Sequence, residues 1–278
     1  MLRKSCLPVY KEGLYSVEKD PIIHVGGSID SAVKGQYTIN VKDILTQAWQ
    51  QTISSRSSIN SGLAMSLVIG MVITVIVSQF LGGIEVVLKD QQSSLLLNVI
   101  ITLVVSPFIA GVEMMGVFHA AGLKSESKFI FYFLKRGSWV ALCALLSSMI
   151  VTMGISLFVL PGIFLVVATS LSIPLVIEKK MSPMKAILLS VQATRFQWFK
   201  IFTLYGILLF VFILSLIPLA AFAKSELFII PIVLFVFVLS YLAPMYYNVK
   251  GILYFQIFGM HVEKFDGDPT VQNDIFSA

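Results

Sequence analysis

One acid stands where it draws attention. Glu113 lies inside the apolar run Leu95 to Ala121, whose only other ionisable side chain is His119. An ionised carboxyl at the centre of a bilayer costs about 2.5–3.5 kcal/mol on insertion scales. Glu113 must therefore be protonated, paired, or open to a water-filled cavity. A proton or cation relay, or a contact to a polar substrate, would use it. The plain alternative is a carboxylic acid hydrogen-bonding a neighbouring helix. Two sets of partners are within reach of the pattern: the carbonyls freed by Pro107, and a hydroxyl stripe on another apolar run. That stripe is Ala144, Ser148, Thr152 and Ser156, one residue every four. Glu113, Ser148, Thr152 and Ser156 are thus the candidate intramembrane polar site, although such a stripe also serves simply to pack helices. Glu113 and His119 are separated by roughly 600° of helix rotation, so they do not share a face.

The other residues capable of chemistry are scattered. His24, His119 and His261 are far apart, and Cys6 and Cys143 fall in a polar leader and an apolar run. There is no Cys-x-x-Cys, His-Glu-x-x-His or phosphate-binding loop. No catalytic, cofactor-binding or metal-binding residues emerge, so no cofactor and no enzymatic activity are expected.

The elements that must position Glu113 are membrane helices. Hydrophobic residues make up 57% of the 278-residue chain and charged residues only 13%, against about 25% in soluble domains. The expected fold is all-α: a polytopic membrane protein with six transmembrane helices arranged as three hairpins. Each hairpin would be preceded by a cytoplasmic interfacial amphipathic helix. Residues 1–40 read as a mostly irregular cytoplasmic tail with a short extended piece at Gln36 to Ile39. Residues 41–260 form the membrane domain, and 261–278 a second cytoplasmic tail. Asn40 is an N-cap, and Val41, Ile44, Leu45, Ala48 and Trp49 give the first amphipathic stripe. The spans follow as Gly62 to Leu88, Leu95 to Ala121, Trp139 to Leu160, Ile163 to Ile177, Phe199 to Ala223 and Leu227 to Tyr247. Gly62, Ser66 and Gly70 should let a neighbouring helix approach closely. Pro161-Gly162 is the expected turn between the third and fourth spans. The fourth is short for a crossing; a deep re-entrant hairpin is the alternative. Phe129 to Gly137 and the segment from Ser182-Pro183 supply the other two surface helices, the latter with a stripe of Met184, Ile187, Leu188 and Val191.

Charge sets the orientation. Eighteen of the twenty Lys and Arg fall in the N-terminal region through Ser61, in Leu123 to Ser138, in Glu178 to Lys200 and after the last span. The positive-inside rule makes that side cytoplasmic, with both termini inside. The basic balance is then accounted for by orientation and by anionic lipid at the cytoplasmic face, and a nucleic-acid partner loses its support. Trp49, Arg136, Trp139, Arg195, Trp198 and Lys200 read as interfacial anchors.

The stretch Val159-Leu160-Pro161-Gly162-Ile163-Phe164-Leu165 carries a resemblance, together with Pro174-Leu175-Val176-Ile177, the run from Lys185 to Ser190 leading to Trp198-Phe199-Lys200, and Pro107-Phe108-Ile109-Ala110-Gly111 leading to Phe131. Over roughly residues 41 to 250 the chain resembles a loose group of bacterial six-helix inner-membrane proteins. That group includes the membrane domain of glycerophosphodiester phosphodiesterases. The resemblance implies six spans and a bacterial inner (cytoplasmic) membrane, and it supplies no catalytic residues. The functional expectation is an envelope scaffold or helper without catalytic activity, acting through its cytoplasmic surface helices on lipids and on a protein partner. The alternative is a transporter or lipid-handling protein with its polar site around Glu113.

Overall fold

Asn40 starts the first long helix as the sequence predicts: its side chain accepts from the Lys42 N–H at 3.2 Å, and Asp43 sits in the first turn. The computed structural model describes residues 22–222 and 228–263. The leader up to residue 21, the turn at 224–226 and the tail from 264 onward lie outside the described residues.

The elements in order are β1 (Ile22–Val25), α1 (Ile29–Lys34), α2 (Val41–Phe80), α3 (Ile84–Lys89), α4 (Gln91–Ala120), α5 (Phe129–Tyr132), a 3-10 turn (Phe133–Arg136), α6 (Gly137–Leu157), α7 (Val159–Ala168), α8 (Ser172–Glu178), α9 (Pro183–Thr194), a second 3-10 turn (Arg195–Gln197), α10 (Trp198–Ala221), α11 (Ile229–Phe258) and β2 (Met260–Glu263). The strands pair as a two-stranded sheet. Val25–Met260 form one compact unit. Six helical stretches are long and apolar enough to cross a membrane: Val41–Phe80, Gln91–Ala120, Phe129–Leu157, Val159–Glu178, Pro183–Ala221 and Ile229–Phe258.

Several boundaries differ from the sequence-based expectation, each for a local reason. The first amphipathic stripe does not form a separate helix; it runs straight into the span as the 40-residue α2. At 1.5 Å per residue α2 is about 60 Å long, twice the hydrocarbon core, so half of it must lie outside. The helix stops at Phe80 because Gly82 and Gly83 take φ of 93° and 101°, and Ile84–Lys89 restarts as α3. The turn after α6 falls at Phe158, in extended backbone, not at Pro161-Gly162. Pro161 instead sits in the first turn of α7, where its missing N–H costs nothing. Its neighbour Gly162 packs against Gly154 and Ile155 of α6. The short fourth run is a broken helix, α7 then α8, interrupted at Thr169 to Leu171. The freed carbonyl of Ala168 accepts from Ser190 Oγ at 2.6 Å and from Thr194 Oγ1 at 3.4 Å, both on α9. A broken membrane helix needs this kind of satisfaction.

α9 also turns a different face inward than its apolar stripe suggests. Ala186, Ile187, Leu189, Ser190 and Ala193 are buried, while Met184 and Leu188 stay exposed. Residues 25–40 are more ordered than an irregular tail. Ser28 caps α1, Gly35 ends it in the left-handed region, and residues 36–39 are not a strand. Tyr37 donates to the Ala193 carbonyl at 2.6 Å, the Ile39 N–H donates to Gln197 Oε1 at 3.0 Å, and Gln197 Nε2 donates to the Tyr37 carbonyl. Burial pushes the Tyr37 phenol up to about 12.

The core is the trio α2, α4 and α11, the last helix lying against the first two. Gly62 and Ser66 are buried, and Gly62 faces Val112, Met115 and Ile130. The closest approach is between Gly116 of α4 and Gly251 of α11. A Cβ on Gly251 would lie 2.1 Å from the Gly116 carbonyl group, and a Cβ on Gly116 would lie 2.2 Å from the Tyr247 oxygen. Backbone lies against backbone there, and no side chain can move aside. Gly251→Ala is expected to destabilise the protein by about 1–3 kcal/mol or more through overpacking. Gly206→Ala, at an open position on α10, should cost far less. Thermal unfolding in detergent compares the two.

Candidate functional site

The buried end of α4, from Ser106 to His119, is aimed at α11. Because Gly116 and Gly251 bring the two helices into contact, side chains three residues before the one and directly beside the other are forced together. Lys250 Nζ lies 2.6 Å from Glu113 Oε1, with the side chains 6% and 7% exposed. The pair answers the question that Glu113 poses in the sequence: the carboxyl is paired. Its other oxygen, Oε2, is buried without a hydrogen-bond partner among the described residues.

The hydroxyl stripe does not take part. Ser148, Thr152 and Ser156 lie on the exposed side of α6, and Ser148 Oγ donates to its own helix at the Leu145 carbonyl, 2.8 Å. The stripe points outward because α6 packs through Gly154 and its near-terminal turns. It is Ser147, one residue earlier, that meets Ser172 of α8, at 3.4 Å. Glu113 and the three hydroxyls are therefore not one site.

A second polar array lies at the same end of the trio. His119 Nδ1 is 3.0 Å from Asn248 Oδ1, and Asn248 Nδ2 donates to Thr52 Oγ1 at 3.0 Å. His119 Nε2 is 2.8 Å from Ser125 Oγ. Gln51 Nε2 donates to the His119 carbonyl at 2.9 Å. The array ties α2, α4, α11 and the 122–128 loop. It opens into a cleft of about 740 Å³ between the 51–58 stretch of α2 and that loop.

The anchors sit near these surfaces. Trp49 is 45% exposed and stacks on Tyr241, which also takes the Arg56 guanidinium on its face. Trp139 is half-exposed, and Arg136 donates to the Val176 carbonyl at 2.9 Å. Arg195 lies over Phe196; Trp198 stacks on Phe202, and its Nε1 is 3.4 Å from the Phe164 carbonyl. Lys200 is exposed. A further buried contact joins Tyr254, which donates to Glu178 Oε2 at 2.7 Å, to the Glu178–Lys179 ion pair at 3.1 Å.

Sequence reasoning missed Lys250, Asn248, Thr52 and Ser125. Lys250 was counted with the cytoplasmic region after the last span, whereas α11 continues to Phe258 and holds it inside the bundle. The unbroken apolar character from Gly251 to Met260 was the available signal. The His119 contacts reach across 129 residues to Asn248, and from Asn248 across 196 residues to Thr52, which no local spacing reveals.

Fold and site together define a multi-pass integral membrane protein with a charge pair sealed inside its central helices. Comparison with protein-family models, curated proteins and solved structures finds no match.

Removing one partner of a buried ion pair leaves an uncompensated charge and costs about 3–5 kcal/mol, whereas replacing both with apolar groups is close to neutral. Lys250→Met is therefore expected to lower the unfolding temperature sharply, and Glu113→Leu combined with Lys250→Met to recover most of the loss. A double-mutant cycle on thermal unfolding in detergent checks this; strictly additive losses would contradict the pairing.

Proposed function

We propose that the protein is a scaffold or helper of a bacterial inner membrane, with both termini cytoplasmic, that works through the surface at the His119 end of its helices. The observation that carries this reading is where polar side chains reach the surface together. Gln51 to Ser58, His119 and the 122–128 loop form a polar cleft, while the flanks of the spans expose Leu67, Met71, Val75, Phe210 and Ile213. Lys and Arg concentrate on the same side by sequence. α9 adds an exposed Met184 and Leu188 beside Lys185, a surface suited to anionic lipid or to a protein partner. The sealed Glu113–Lys250 pair supports a body that is held rigid. Photocrosslinking residues at Ser57 and Met184 in native membranes should yield discrete protein adducts, and one at Thr152 should yield lipid adducts alone. The scaffold reading fails if neither of the first two positions captures protein.

A second reading is favoured by Glu113 Oε2, which has no hydrogen-bond partner among the described residues, by the helix break at Thr169–Leu171 and by the prolines Pro107 and Pro244 inside α4 and α11: a transporter or lipid-handling protein with its polar site at Glu113. In that case wild-type proteoliposomes dissipate an imposed pH gradient and Glu113→Gln proteoliposomes do not, read with a trapped pH dye. Equal rates in wild-type, variant and empty liposomes would exclude a proton path.

A further inference from the structure

We propose that Ser125 is an activated nucleophile and that the cleft around it receives a carboxylic ester at the membrane surface. The proposal rests on the reading of that end as the working surface and adds covalent chemistry to it. The order of hydrogen bonds sets the direction of proton transfer. Asn248 Nδ2 donates to Thr52 Oγ1 at 3.0 Å, so the amide oxygen faces the imidazole. His119 Nδ1 then carries the hydrogen and donates to Asn248 Oδ1 at 3.0 Å. The lone pair is left on Nε2, which accepts the Ser125 hydroxyl at 2.8 Å. A serine on a neutral imidazole, itself oriented by a fixed third group, is the arrangement that activates a hydroxyl for attack.

Burial grades along the relay. Thr52 and Asn248 are fully buried and His119 is 8% exposed, while Ser125 is half-buried and lines the cleft. The orienting groups Thr52 and Asn248 are thus held among three packed helices, while Ser125 and the edge of His119 meet the cleft. Ser58 Oγ approaches Ser125 Oγ at 3.4 Å, but its hydrogen goes to the Ser55 carbonyl at 2.9 Å, so it leaves the Ser125–His119 bond undisturbed. Lys124 and Lys128 line the same cleft, and their charge favours an oxyanion forming there. His119 stands at the last turn of a membrane helix. That is the depth at which the ester of a lipid, between polar head and apolar tail, would lie.

In the step, Ser125 Oγ bonds to the ester carbonyl carbon and its proton passes to His119 Nε2. The tetrahedral adduct collapses, the carbon–alkoxide bond breaks, and His119 returns the proton to the leaving alcohol. Water then attacks the acyl-serine, giving its proton to His119, and the carboxylic acid departs as Ser125 recovers its hydrogen. Ser125 and His119 are the catalytic residues; Asn248 is a positioning residue.

The test uses the full chain in nanodiscs with a fluorophosphonate probe and peptide mapping. Ser125 of the wild type should be labelled, Ser148→Ala should label equally, and Ser125→Ala should not label. His119→Gln should slow labelling by about 100-fold or more, the loss typical of removing a general base. Asn248→Ala should slow it less and shift its pH profile. No adduct on Ser125 in the folded wild type overturns the proposal, as does a rate unchanged by His119→Gln. Neither outcome depends on a protein partner, so the scaffold reading stands or falls separately.

Discussion

Everything in the membrane body depends on two backbones touching. Gly116 and Gly251 remove the side chains that would hold α4 and α11 apart. Lipid offers no hydrophobic drive to bring helices together, so close packing and internal polar bonds must do it. Contact at the glycines places Lys250 on Glu113 on one side of the crossing and Asn248 on His119 on the other. The ion pair and the hydrogen-bonded array are consequences of one packing choice. Both would be lost if the helices moved apart by the width of a methyl group.

Satisfaction of the backbone follows the same logic elsewhere. The break between α7 and α8 is tolerated because Ser190 and Thr194 supply hydroxyls to the Ala168 carbonyl. Those hydroxyls lie on the buried face of α9, which therefore packs inward with small residues and leaves Met184 and Leu188 outside. The segment just before α2 closes over the end of α9, Tyr37 donating to the Ala193 carbonyl and the Ile39 N–H to Gln197.

The six spans were legible because hydropathy over some twenty residues is a strong, local signal. Glu113 was legible for the same reason, as one charge on an apolar background. Lys250 was not, since Tyr246, Tyr247 and Asn248 lower the hydropathy before it and make it look like the end of a span. The stripe at Ser148, Thr152 and Ser156 misled because a four-residue period says that side chains share a face and says nothing of where the face points. The break points were misplaced wherever one glycine or proline was weighed without its neighbours: Pro161 fits a first helical turn, and the paired positive φ of Gly82 and Gly83 ends α2. The Ser125–His119–Asn248 array was invisible because its members come from a loop and two helices joined only in space.

The Glu113–Lys250 pair also bears on how the protein is made. A chain emerging at about 5–20 residues per second places Glu113 in the membrane well before Lys250 is synthesised. For that interval α4 holds an acid with no countercharge, and α2 has no third helix to complete its trio. α11, made well after α2 and α4, is the helix that locks those two together. Assembly is thus a late event, and a chain released before α11 docks would carry an exposed carboxyl in lipid, a mark by which quality control could tell an unfinished protein from a finished one.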